Sequence, residues 1–120
     1  MEFIVQNAIK QSESMQNADF LVGQANIKVV GVGGAGGNTV SWLYKKGIKG
    51  AEIAVINTDK QHLDVHEADR KVLIGRDLTK GLGAGGHPNI GTEAAKETMQ
   101  EIKDILKGAD MVFVCAGMGG

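Results

Sequence analysis

The sequence predicts an α/β fold: a Rossmann-like parallel sheet with flanking helices. Three observations carry that expectation. Apolar runs of strand length, at 27–30, 53–56, 71–74 and 111–116, alternate with stretches of helical periodicity. That order, with crossovers of adequate length, builds parallel strand pairs. The first run passes straight into five glycines within seven residues, Gly31 to Gly37, which reads as strand, tight turn and helix start. Glycine is also concentrated: 31–37, 81–86 and 117–120 hold 12 of the 18 glycines. The excess therefore marks particular loops and not a low-complexity chain.

Residues 1–25 form a polar leader in which Phe3, Ile4, Ala8, Ile9, Ser12 and Met15 have loosely helical spacing, with Gly23 at its end. Lys10 is its only basic residue, so it reads as a solvated segment packing on the core and not as a membrane-surface helix. The strand Ile27 to Val30 is apolar apart from Lys28, which suits a sheet covered on both faces. The glycines after it leave backbone N–H groups open to an anion, and a nucleotide phosphate is the expected one. Gly31, Gly33 and Gly36 spell G-x-G-x-x-G, a fingerprint that taken alone fits a purely structural turn as well.

The next helix is expected from Asn38 to Lys46, with Val40, Leu43 and Tyr44 as its apolar stripe, Gly47 as its stop and Trp42 packed on a neighbouring element. The second strand, Ile53 to Ile56, ends in Asn57, Thr58 and Asp59. Polar side chains at a strand's carboxyl end are where an α/β sheet holds ligands. Thr58 and Asp59 are equally good N-caps for a helix over Lys60 to His66, and both roles stand open. His62 and His66 are four apart with no further metal-ligand partners in the pattern, so they read as solvated surface. The third strand is expected at Lys71 to Ile74. The turn Gly81 to Pro88 carries His87 at the loop surface, within reach of a phosphate. One long helix over 89–107 then presents Ala95, Met99, Ile102 and Leu106 to the core. The fourth strand, Met111 to Ala116, holds Cys115 as a buried, inert thiol. It leads into a glycine turn where a further helix is expected, so the chain reads as part of a larger domain.

At 120 residues and 42% hydrophobic content one domain with a real core is the default. A net charge of −1 with interspersed signs offers neither a nucleic-acid footprint nor a polybasic membrane patch. No apolar run approaches the ~18 residues of a membrane span, and the N-terminus lacks a signal-peptide pattern. A cytoplasmic protein without disulfides is expected.

Four motifs in order, GVGGAGGN at Gly31 to Asn38, NTD at Asn57 to Asp59, GLGAGG at Gly81 to Gly86 with Pro88 and Gly91 beyond, and GMGG at Gly117 to Gly120, resemble the FtsZ family of prokaryotic tubulin relatives. The resemblance covers residues 27–120. It implies the first part of a GTP-binding domain at 26–120, after a variable leader at 1–25. It places Gly33, Gly34, Ala35, Gly36, Gly37 and Asn38 along the phosphates of GTP or GDP, and Asn57, Thr58 and Asp59 near the phosphates and Mg²⁺, with Asp59 acting on the metal indirectly. Ala84, Gly85 and Gly86 would sense the terminal phosphate. Gly117, Met118, Gly119 and Gly120 would begin the family's GGGTGTG loop, which this sequence does not continue. His87 stands where the family more often has Asn or a small residue.

The family's activity is GTP hydrolysis in head-to-tail filaments for cell division, completed by an acidic loop from the next subunit. The resemblance thus implies self-association, other division proteins, a separate membrane anchor without direct insertion, and a place at the division site. No catalytic residue is expected within these 120 residues, which by themselves should be inactive. From another class, an oxidoreductase domain could use the same fingerprint for NAD(P), with Asp59, 23 residues after Gly36, reading the ribose. A binding-only scaffold is the third reading.

Overall fold

The computed structural model describes residues 4–8 and 25–119. Residues 4–8 are helical and exposed; the rest of the leader expected at 1–25, Gly23 included, lies outside the described residues. The elements are β1 (Ile27–Val32), α1 (Gly33–Lys46), β2 (Ala51–Asn57), α2 (Lys60–Val65), β3 (Arg70–Leu73), α3 (Arg76–Thr79), α4 (Pro88–Glu97), α5 (Met99–Leu106) and β4 (Met111–Ala116). The four strands form one sheet in the order β3-β2-β1-β4, every pair parallel.

Strand alternation sends Val29, Ile53 and Val55 to one face, where they pack with Val40 of α1 and Leu63 of α2. Val30, Ala54, Ile56 and Val72 face the other way, onto Ala94 of α4 and Ile105 of α5. Two apolar faces on one sheet explain the unbroken apolar runs. Lys28, the one charge in β1, is buried and spends its ammonium on helix α5. Its Nζ donates to the carbonyls of Ile105 at 2.5 Å and Lys107 at 3.3 Å, the carbonyl end where a cation is favoured.

Several expectations need correction. Helix α1 starts at Gly33 and not at Asn38, because the buried Gly36 and Gly37 are held by tertiary contact despite glycine's poor helix propensity. Trp42 is 58% exposed, with Lys46 Nζ over its ring at 5.0 Å from the centre, and Tyr44 is exposed as well. The long helix is broken at Thr98 (φ −107, ψ 23). There the Thr98 hydroxyl accepts from Gly75 N–H at 2.8 Å and donates to the Ala94 carbonyl at 3.2 Å. Ala94, Thr98 and Ile105 are the buried positions of the two pieces; of the expected stripe, Ala95, Ile102 and Leu106 do pack against the core, and Met99 alone departs from it at 43% exposed. The short α3 was not expected; Glu97 caps it, accepting from Asp77 and Leu78 N–H at 3.2 and 3.1 Å. Strand β4 is an edge whose Met111, Val112, Phe113 and Val114 are exposed, and Cys115 is half-buried and not buried.

Candidate functional site: three glycine loops at a switch point

After β1 the chain moves outward to β2 and β3, then returns to place β4 on the opposite side of β1. The order therefore reverses between β1 and β4, and in open α/β sheets the crevice beyond the carboxyl ends at such a point is the ligand site. Both flanks of this crevice are glycine-rich.

On the β1 side, the glycines serve different ends. Gly33 takes φ +76 with open space around it, so the turn itself requires glycine. Gly34 leaves room for the His62 ring, whose Nδ1 would stand 3.2 Å from a Cβ there. A Cβ at Gly36 would fall on the Cys115 carbonyl, and one at Gly37 on the His66 ring, so here the need is close approach. Ala35, exposed, borders the third loop: a Cβ on Gly117 would stand 2.6 Å from Ala35 Cβ. No side chain among the described residues caps α1 and its first turn holds no acid, which leaves its leading N–H groups open to an anion. Asn38, exposed, bonds through Oδ1 with His66 Nε2 at 2.9 Å.

At the end of β2, Asn57 is 6% exposed. Its Oδ1 accepts from Asp59 N–H at 3.0 Å, while its Nδ2 is buried with no partner among the described residues. Asp59 Oδ1 accepts from His62 N–H at 3.2 Å and so caps α2. The second glycine loop docks on this strand end. Lys60 N–H donates to Gly81 O at 3.0 Å, Gly83 N–H to Thr58 O at 3.2 Å, and Asp59 bridges antiparallel to Leu82. Gly81, Gly83, Gly85 and Gly86 are all left-handed, with φ from 63 to 92, a conformation that side chains resist. Ala84, half-buried, accepts from His87 N–H at 3.2 Å, and His87 itself is exposed. Beyond β4, Gly117 and Gly119 are exposed and Met118 is exposed at φ +67; Gly120 lies outside the described residues.

The structure thus links Gly33–Asn38 to Gly117 directly, and joins Asn57–Asp59 to Gly81–Gly83. His66, expected at a solvated surface, is instead 4% exposed. Burial first, then His62 and Lys71, holds its pKa below the ordinary 6.5. The signal was present: His66 follows Leu63, the buried residue of α2, by three positions, which shares its face. No group of three His, Cys, Asp or Glu side chains gathers as a metal site among the described residues.

A parallel sheet with glycine turns around its switch point defines an open, Rossmann-like α/β domain. The chain belongs to the tubulin/FtsZ family: the model of that family's GTPase domain matches residues 26–120. It is 53% identical over 117 residues to cell division protein FtsZ 2 of Methanocaldococcus jannaschii, covering 98% of this chain and 31% of that relative. Against FtsZ 2 of Haloferax volcanii the identity is 48%, over 100% of this chain and 32% of the relative. Among solved structures, an empty M. jannaschii FtsZ dimer superposes with TM-score 0.79 at 50% identity, over 87% of this chain and 31% of that one. A GTPγS-bound CetZ2 protofilament from H. volcanii gives 0.67 at 30%, over 79% and 31%. The chain spans about a third of the length of these relatives.

Proposed function

We propose that this chain supplies the phosphate-binding part of a GTP-binding and GTP-hydrolysing protein that assembles head to tail into filaments for cell division. The observation that carries the reading is the unpartnered Nδ2 of Asn57, a buried donor on the strand end between two glycine loops. A buried donor without an acceptor is costly unless a ligand supplies one. Gly33 to Asn38 would lie along the phosphates, Ala84 to Gly86 at the terminal phosphate, and Gly117 to Gly120 on the far flank. Residues 26–120 would then be the first part of the nucleotide domain and 1–25 its leader.

What the residues do chemically is electrostatic positioning. The leading N–H groups of α1 hold phosphate oxygens without reorganising when charge develops. Asp59 fits a magnesium-region role, since Oδ1 is engaged by the cap and the second oxygen remains. Bound Mg²⁺ would neutralise phosphate charge. The NAD(P) alternative asks for a single glycine fingerprint and leaves the second and third glycine loops without a role, and the family model that matches is that of a GTPase domain. By the family's pattern the partners are further copies of the protein, other division proteins and a separate membrane anchor, with a cytoplasmic place at the division site. No described helix is long and apolar enough to cross a membrane.

The decisive experiment is equilibrium binding of GTP, ATP and NAD to a chimaera in which residues 1–120 replace the matching third of M. jannaschii FtsZ 2. GTP is expected to bind best, with a hydrolysis rate per subunit that climbs with protein concentration; the 120-residue chain alone should show no turnover. Preference for NAD, or a rate per subunit constant down to high dilution, would sink the shared-site reading. Asp59→Ala in the chimaera is expected to cost about 1 kcal/mol of stability as a lost cap. It should also weaken the magnesium dependence of hydrolysis. A lower melting temperature with ordinary hydrolysis leaves capping as the whole role of this residue.

A further inference from the structure

His66 ends α2 as its C-cap, and its ring lies directly against the first glycine loop. Its Cε1, Nδ1 and Nε2 fill the space that a Cβ at position 37 would need. Glycine at 37 admits the ring, and the ring in turn fixes the backbone of α1. The next residue tightens the same joint, since Glu67 N–H donates to Ser41 Oγ of α1 at 2.9 Å.

The hydrogen bonds decide which nitrogen carries the proton. Nε2 stands 2.9 Å from Asn38 Oδ1, while Nδ1 is buried with no partner among the described residues. The neutral ring has a single N–H. On Nδ1 it would be a buried donor without an acceptor; on Nε2 it meets the Asn38 oxygen and leaves a bare acceptor, the cheaper fault. Nε2 therefore donates to Oδ1, and the free polar group of Asn38 is its NH₂.

We infer that His66 is a positioning residue for the nucleotide site: by engaging Asn38 Oδ1 it presents the Asn38 NH₂ as a donor to a nucleotide oxygen. The inference rests on the nucleotide reading above. It assigns to His66 a task done only through Asn38 and the seat of Gly37, with no contact to the ligand.

Two measurements test it. In the 120-residue chain at pH 7, ¹⁵N NMR of the imidazole is expected to show the Nε2–H tautomer, with a signal that shifts and exchanges faster in Asn38→Ala. An Nδ1–H ring, an imidazolium, or a signal indifferent to Asn38→Ala overturns the inference. In the chimaera, His66→Leu is expected to weaken GDP binding by about fivefold, the scale of one hydrogen bond. His66→Gln, which keeps an N–H near the Nε2 position, should recover most of the loss. In an Asn38→Ala background His66→Leu should add nothing, because the two act as one unit. Equal GDP affinity in wild type and a folded His66→Leu overturns the positioning role. A wild-type chimaera that binds no GDP overturns the nucleotide reading instead. Should His66→Leu fail to fold, His66→Gln and the NMR measurement decide.

Discussion

Gly36→Val should leave a chain that neither folds stably nor binds nucleotide. A Cβ at this position falls on the Cys115 carbonyl of β4 and 3.3 Å from the carbonyl carbon of Gly31 in β1. Neither backbone can yield cheaply, since Gly31 and Cys115 are register partners in adjacent parallel strands. Overpacking of a well-packed core typically costs 1–3 kcal/mol, and this case, backbone against backbone, belongs at or above about 3. That is a large share of the roughly 5–15 kcal/mol that holds a domain folded. Gly33→Ala is the contrast: it meets no atom within 4 Å and costs only the left-handed backbone, about 1–2 kcal/mol. Urea unfolding of both variants separates the two mechanisms. A Gly36→Val chain with wild-type stability would mean that α1 is not seated on the switch point as described.

Asn57→Asp is expected to lower nucleotide affinity by at least about a hundredfold, the scale of a buried charge left unpaired. The change keeps the oxygen that accepts from Asp59 N–H and replaces the unpartnered Nδ2 with a second oxygen. At 6% exposure a carboxylate there is poorly hydrated, close to Asp59, and repels a phosphate where the amide would attract it. Asn57→Ala should lose less, because it deletes the donor without adding charge. Titration of GDP into the chimaera gives all three constants. Near-wild-type affinity in a folded Asn57→Asp would show that the Asn57 amide does not face the ligand.

The strands were legible because each holds an apolar stretch flanked by turn residues, short in β3 (Arg70–Leu73) and longest in β4, and β4 appears at the residues expected for it. The glycine loops were legible because their number exceeds what one turn requires. Less visible was why each glycine is there. The close approach of Gly36 to Cys115 joins positions far apart in sequence, so no local pattern reports it, and the same gap placed the start of α1 too late. Thr98 broke the long helix through a hydroxyl that serves Gly75, a bond that periodicity cannot register. His66 was misplaced because a histidine four from another invites a surface reading. The cue lay in its spacing from Leu63 and in the missing side chain at Gly37. Trp42, off the apolar stripe, was expected to pack on a neighbouring element, whereas a helix packed on one face keeps its outer side in water.

The pairing of β1 with β4 also bears on the time course by which the chain acquires its properties. Asn26 and Asp110, 84 positions apart, are joined by a bond from the Asn26 N–H to the Asp110 carboxylate at 2.7 Å, with a return bond between their backbones at 2.8 Å. Everything between them has to be enclosed before β4 can zip along β1. Closing so long a loop carries an entropy cost that shorter pairings such as β1 with β2 escape. The seat of Gly36 on Cys115 and of Gly117 beside Ala35 exists only after that closure. Helices and the β1-β2-β3 half of the sheet can therefore be in place while the crevice is still open, and the crevice is expected to close last.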